Sequence, residues 1–416
     1  MAAVLGAVVS LVGWAFLVGV HHLQDAVFDD LPDALGFDGA PVWWPLPVLA
    51  VAGAITALAI TRLPGTGGHV PANGLSAGAT TPIELPGVVL AALASIGLGA
   101  VVGPEAPLIA IGGGLALWLV GSVRRDLPPD VMMIVGAVGS FAAISLLFGS
   151  PLIAAVLILE IAGLGRGRAP LLLLPGLLAA GVGSLVYIGL GSWSGLSTTA
   201  YSIDPLKLPD FPRPSIGDFL WTIPLAAAIG LGTLAIFALA RRAHPFVRAH
   251  PFPLTVAAGL AVAGLAIAFS EATDRGFDEV LFSGQESLPG LVADAGGWSI
   301  GALCALIAFK GIAYSISLAS FRGGPVFPAL LLGAAAGILA SHLPGLDLTP
   351  AVAVGVGAAV AATLRLPLTA VLLAVILTLS TGAGATPVIV VGVVVAYLTA
   401  TLVDRSPAQA PPPAGP

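Results

Sequence analysis

The stretch Gly103-Pro104-Glu105-Ala106-Pro107-Leu108-Ile109-Ala110-Ile111-Gly112 has a counterpart 221 positions later, Gly324-Pro325-Val326-Phe327-Pro328-Ala329-Leu330-Leu331-Leu332-Gly333. Both read Gly-Pro-x-x-Pro, then four residues, then Gly. A second pair keeps nearly the same spacing: Pro151-Leu152 opens PLIAAVLIL and Pro367-Leu368 opens PLTAVLLAV, 216 apart. Either match alone is within reach of chance in a chain rich in Gly, Ala, Leu and Pro, but two in the same order favour an internal duplication. Apolar segments interrupted by Gly and Pro at corresponding places in two halves point to a binding site near the middle of a bilayer.

The rest of the chain supports a membrane setting. Of 416 residues, 57% are hydrophobic and 9% charged, against about a quarter charged in soluble domains. Apolar runs of the roughly 20 residues needed to cross a hydrocarbon core recur along the whole length, so the expected fold is an all-α polytopic membrane protein. Segments fall near 2–20, 42–61, 86–102, 107–123, 131–148, 151–163 and 170–190, then near 219–240, 254–270, 298–319, 326–342, 350–363, 367–380 and 386–403. Several are too short to span alone and read as re-entrant or half-spanning pieces. The organisation expected is a first membrane repeat over 1–190, a polar linker over 191–218, a second repeat over 219–404 and a disordered Pro-rich tail over 405–416. The 54 glycines and 35 prolines fall inside apolar runs, where a broken helix must have its freed backbone groups satisfied by protein or water.

Charge gives orientation and excludes partners. The segment from His22 to Pro41 carries Asp25, Asp29, Asp30, Asp33 and Asp38 without a basic residue, and 271–294 is also acidic; both should lie outside. Basic residues at Arg62, Arg124, Arg125, Arg166, Arg168, Arg241, Arg242 and Arg248 close apolar runs and place those ends in the cytoplasm. A net charge of −6 without a basic stripe argues against nucleic acid. Cys304 is the single cysteine, which rules out an intramolecular disulfide or thiolate cluster. His21 and His22 have no further ligand at metal spacing. No metal and no cofactor are expected.

The breaks set the sign of the ligand. Each ends as a helix N-terminus within the membrane, with unpaired N–H groups and the positive end of the helix dipole. Such termini attract anions. Two converging would form an anion site without a buried Lys or Arg, whose full charge would hold the ion too tightly for conduction.

These residues resemble the CLC family of chloride channels and chloride/proton antiporters. GTGGHVP at Gly65 to Pro71 is similar to the family's GSGIP segment, GPEAP at Gly103 to GREGP, GGPVFP at Gly323 to GGIFAP, and LRLPLTAVLLAV from Leu364 to the late PLT helix. GSPLIAAVLILE, ending at Glu160, resembles the PLAG-type helix. The resemblance implies a CLC-type inverted-repeat fold with broken helices, a homodimer in the plasma (inner) membrane, and one anion pathway per subunit. It implies that Glu105 is the gating carboxylate, that Thr66 offers the hydroxyl to the central anion with Gly67 beside it, and that the backbone amides of Val326 and Phe327 face the ion. Gly103, Gly323, Gly324 and Glu160 would support the site.

Several positions depart from the family. Pro104 and Ala106 replace the arginine and glycine flanking the gate, and Pro325 has no N–H to offer. Ile161 stands where proton-coupled members carry an inner glutamate. After the segment ending near Asp404 only the Pro-rich tail is expected, with no helix to bear the family's pore tyrosine, and Tyr397 lies in the preceding helix. Lys310 is read as structural, Glu160 as structural or cytoplasmic-side, and Arg322 as a contributor to the field at the second break. The expectation is a chloride channel or transporter gated by Glu105, with coupled chloride/proton exchange as the alternative. A membrane-embedded enzyme is the remote third reading, because only Glu105 and Glu160 offer carboxylates at membrane depth and such catalysis needs a paired constellation.

Overall fold

The computed structural model describes residues 1–75, 80–124, 128–162, 169–194 and 205–404. The expected cytoplasmic residues Arg125, Arg166 and Arg168, part of the linker and the tail from 405 lie outside the described residues. The first half comprises α1 (Ala2–Asp25), α2 (Leu31–Ala34), α3 (Pro45–Arg62), α4 (Leu85–Gly97), α5 (Glu105–Val123), α6 (Pro129–Phe148), α7 (Pro151–Ala162) and α8 (Ala169–Ser194). The second comprises α9 (Ile216–Ala249), α10 (Pro251–Thr273), α11 (Ser287–Ala293), α12 (Ile300–Ser320), α13 (Val326–Ala340), α14 (Leu348–Leu364), α15 (Pro367–Leu377) and α16 (Ala385–Val403). Among the described residues there is no β-strand, and eight helices are long and apolar enough to cross a membrane. The chain is an all-helical, multi-pass membrane protein.

Proline and small polar residues set the helix starts. α3, α6, α10 and α15 carry Pro in the first turn, where its missing N–H is lost at no cost. Ser215 and Asp218 form a capping box at α9, with Ser215 Oγ accepting from the Asp218 amide at 3.2 Å. α9 runs on to Ala249, past the end of the apolar run at 240, and α1 continues through a π-turn at Ala26–Asp30 into α2.

Helix pairs repeat with a fixed register. α5 packs on α6 through Gly112 and Gly139: a Cβ on Gly112 would lie 2.5 Å from the Gly139 carbonyl oxygen and 2.9 Å from Ala143 Cβ. α13 packs on α14 through Gly333 and Gly355, and a Cβ on Gly333 would meet the Gly355 carbonyl and lie 2.7 Å from Ala359 Cβ. Shifts of 221 and 216 carry Gly112 onto Gly333 and Gly139 and Ala143 onto Gly355 and Ala359, the same offsets that relate the sequence motifs. Missing side chains let backbones approach where lipid gives no hydrophobic drive to helix association.

Candidate functional site

The two Gly-Pro breaks meet face to face. Gly103 and Gly324 form an isolated antiparallel bridge, with the Gly103 amide donating to the Gly324 carbonyl at 2.7 Å and the Gly324 amide to the Gly103 carbonyl at 2.5 Å. The amides just ahead of each break are satisfied across the junction. Ser317 on α12 accepts from the Val101 amide at 3.1 Å, and Ser95 on α4 accepts from the Arg322 amide at 3.1 Å. Each half thus supplies a hydroxyl to the other half's broken backbone, as the absence of water in a bilayer core demands. Hydropathy gave no hint of either serine, although 95 and 317 are related by nearly the spacing of the breaks.

Glu105 opens α5 at this junction and is fully buried. Its Oε1 accepts from the Phe327 amide at 2.8 Å. Oε2 is buried without a hydrogen-bond partner. The carboxylate lies over two glycines: a Cβ on Gly103 would stand 2.6 Å from Oε1, and one on Gly324 would stand 2.6 Å from Cδ. Gly323 meets the opposite chain as closely, since a Cβ there would lie 2.9 Å from the Gly103 carbonyl oxygen. The structure therefore gathers Gly103, Glu105, Gly323, Gly324, Val326 and Phe327 into one site. The Phe327 ring stacks on Phe148 with centroids 5.8 Å apart. Pro325, which cannot donate, accepts at its carbonyl from the buried Tyr314 hydroxyl at 2.6 Å; sequence reasoning missed this phenol, which lies on α12 between Lys310 and Ser317.

Thr66 and Gly67 arrive on a separate loop. Gly65, Thr66, Gly67 and Gly68 all have positive φ, 50° at Thr66, a conformation a β-branched residue rarely adopts. Thr66 is exposed and Gly67 buried, and no hydrogen bond joins Thr66 to Glu105 among the described residues. Their link is Arg322, whose Nε donates to the Thr66 carbonyl at 3.2 Å and whose Cγ would lie 3.4 Å from a Cβ on Gly67. Arg322 is only 5% exposed. The expectation of an anion site without a buried cation is thus corrected: a guanidinium sits directly beside the break, because the loop folds over it and the Thr66 carbonyl accepts its Nε proton. His69 follows on the same loop, and burial pushes its pKa below the ordinary value despite the opposing backbone contact with Gly74.

Glu160 stands apart from this junction. Its Oε1 accepts from the Leu368 amide at 3.0 Å, and its Oε2 from the Thr369 amide at 2.7 Å and hydroxyl at 2.6 Å. It caps α15, taking up N–H groups that the helix start leaves unpaired. Ile161 beside it packs against the core. Lys310 is fully buried and donates to the carbonyls of Glu279, Val280 and Leu281 at 2.8, 3.2 and 2.9 Å, which satisfies all three ammonium protons. Tyr397 lies within α16.

The two acidic segments face one cavity of about 830 Å³ that reaches Pro104 and is lined by Asp25, Asp29, Glu279, Glu286 and Asp294. His21 bridges the segments, its Nδ1 3.1 Å from Glu286. Burial, with Asp278 next to it, raises the Glu279 pKa against the pull of Lys310 and Arg275.

The sequence pattern of the family described as voltage gated chloride channel matches residues 72–401. "Putative ion-transport protein YfeO" of Escherichia coli O1:K1 / APEC is 29% identical over 340 residues, 80% of this chain and 76% of its own. The protein of the same name from Escherichia coli O139:H28 (strain E24377A / ETEC) is 28% identical over 361 residues, 85% of this chain and 81% of its own. The crystal structure of a slow cyanobacterial Cl-/H+ antiporter superposes with a TM-score of 0.76 at 20% identity, covering 98% of this chain and 95% of that one. The crystal structure of a CLC-type fluoride/proton antiporter gives 0.73 at 18%, covering 98% and 96%. At these identities the two structures speak to the fold, which is of the CLC type.

Proposed function

The chain belongs to the voltage gated chloride channel family, and from that premise we propose that it carries chloride or a similar small anion through the Gly103–Gly324 junction, with the Glu105 carboxylate as gate. One observation carries the reading: Glu105 Oε1 accepts from the Phe327 amide, so a negative group already occupies the first turn of α13, where the dipole and free N–H groups favour an anion. Ionised Glu105 competes with the anion for those amides. Protonation removes that competition, because a neutral carboxyl holds amide donors less strongly than a carboxylate. The Thr66 hydroxyl and the backbone around Gly67 offer donors further along the path. Gly103, Gly323 and Gly324 keep the seat open by lacking side chains, and Glu160 holds α15 in place.

The same helix-pair packing at the same two offsets supports reading 1–190 and 219–404 as inverted repeats joined by a linker over 191–218. A homodimer in the plasma membrane is the assembly proposed. Coupled exchange with protons is less favoured: Glu160 is held by three donors and Ile161 has no proton to pass. The test is chloride efflux from liposomes containing the purified protein. Efflux should rise as external pH falls, and Glu105→Gln should be fast and insensitive to pH. An unchanged pH response in Glu105→Gln refutes the gate, and proton uptake driven by a chloride gradient would establish exchange instead.

A further inference from the structure

The second break is held from behind by a phenol. Tyr314 on α12 is fully buried and donates through its hydroxyl to the Pro325 carbonyl at 2.6 Å, while its ring meets Phe237 of α9 edge-on with centroids 6.1 Å apart. That carbonyl belongs to the same peptide unit as the Val326 N–H. The unit is trans, as all are among the described residues, so the N–H points away from the carbonyl and from Tyr314. It is the first amide of α13. The next, that of Phe327, donates to Glu105 Oε1, and the opening amides of a helix project beyond its start without intrahelical partners. The charged side chains on either side of Tyr314 bond elsewhere: Lys310 to the carbonyls of Glu279, Val280 and Leu281, and Arg322 to those of Thr66 and Phe321.

We propose that Tyr314 is a positioning residue for the Glu105 seat: by fixing the plane of the Pro325–Val326 peptide, its hydroxyl holds the amides that open α13 at the angle that binds the gate carboxylate and, once the gate leaves, the anion. This rests on the reading that the protein carries anions through the junction. A comparison of the two halves separates the role from that of merely closing a broken helix. Ser95 and Ser317 do that work in both halves, and the phenol is present in one. The spacings that relate the breaks and the serines place Leu93 and Ala92 of α4 opposite Tyr314, side chains with no proton to donate. The Pro104 carbonyl, counterpart of that of Pro325, accepts from the Leu108 amide of its own helix at 3.0 Å. The phenol is thus added only at the break whose amide holds the carboxylate. A ring locked by packing suits the task, because a site keeps its geometry only when its supporting side chains are themselves fixed.

The test uses the full chain, with Tyr314→Phe keeping the ring and its contact with Phe237 while removing the hydroxyl. Amides held less well stabilise the ionised carboxylate less and bind chloride more weakly. In liposomes the KM for chloride should rise about two- to tenfold and the pH of half-maximal efflux should move upward by about 0.3–1 unit, the worth of one neutral hydrogen bond, with the maximal rate at low pH kept. A lower maximal rate and melting temperature with KM and pH midpoint unchanged is the mark of a structural tie, and it overturns the proposal. A fluorotyrosine incorporated at position 314, a stronger donor of nearly the same size, should shift both readouts the opposite way. It decides if Tyr314→Phe fails to fold, and wild-type values from it overturn the proposal. If the wild type moves no chloride, the functional reading falls, and the crystal structure of Tyr314→Phe judges this inference by itself: the Pro325–Val326 peptide should turn and the Glu105 carboxylate part from the Phe327 amide, whereas an unmoved peptide overturns it.

Discussion

Gly324→Ala should unseat the gate without touching its carboxylate. A Cβ built on Gly324 would lie 2.6 Å from Glu105 Cδ and 3.0 Å from Glu105 Cβ, and its three nearest neighbours all belong to that side chain. Carbon atoms pack at about 3.5–4.0 Å, so the carboxyl group must retreat by about 1 Å. That shift carries Oε1 away from the Phe327 amide, now 2.8 Å distant. A hydrogen bond to a charged group contributes about 1.5–3 kcal/mol, which is roughly 10- to 150-fold in the ratio of seated to unseated gate. Chloride efflux from liposomes at pH 7.5 should rise by at least the lower factor and lose most of its pH dependence. Melting temperature, measured in parallel, separates this from damage to the fold. A folded Gly324→Ala protein with wild-type flux and wild-type pH response would refute the seat.

Other expectations follow from the same contacts. Ser95→Ala and Ser317→Ala each strand one buried backbone amide and should each destabilise the protein by about 1–3 kcal/mol, read as similar drops in melting temperature; a large effect from only one would contradict their equivalence. Glu160→Gln weakens the α15 cap and should cost about 1–2 kcal/mol while leaving the pH response of flux intact, whereas a changed response would give Glu160 a part in proton movement. Glu279 is an acid with a raised pKa in the folded state, so the folded protein holds its proton more tightly than the unfolded chain. Its contribution is present at low pH and fades as pH climbs through the ordinary value of 4.5 towards the folded one. Glu279→Gln should flatten that part of the stability profile measured by thermal melts, and an unaltered profile would assign the effect elsewhere.

The helices and the two breaks were legible because both are written in local pattern: apolar length, Pro at helix starts, and Gly-Pro where a helix must stop inside lipid. α9 outran its apolar stretch because a helix needs apolar side chains only where lipid surrounds it, and Arg241 to Ala249 continue it as a polar end. The family motifs singled out Glu105, Val326 and Phe327, and the structure brings the Glu105 carboxylate to the Phe327 amide. Arg322 was seen as a neighbour of the break but not as a buried charge, since its burial depends on a loop 256 positions away. Tyr314, Ser95 and Ser317 are ordinary helix residues whose partners lie across the junction, and no local spacing reveals such a partner. The cap that Glu160 provides likewise joins residues 208 and 209 positions apart.

The account turns on the anion and the carboxylate sharing one set of amides. Crystals of Glu105→Gln grown in bromide test this directly: the anomalous map should show an ion between Gly103 and Gly324 within hydrogen-bond reach of the Phe327 amide, where the carboxylate oxygen sits in the wild type. An intact junction with no ion there, in a protein that still transports bromide, would contradict it.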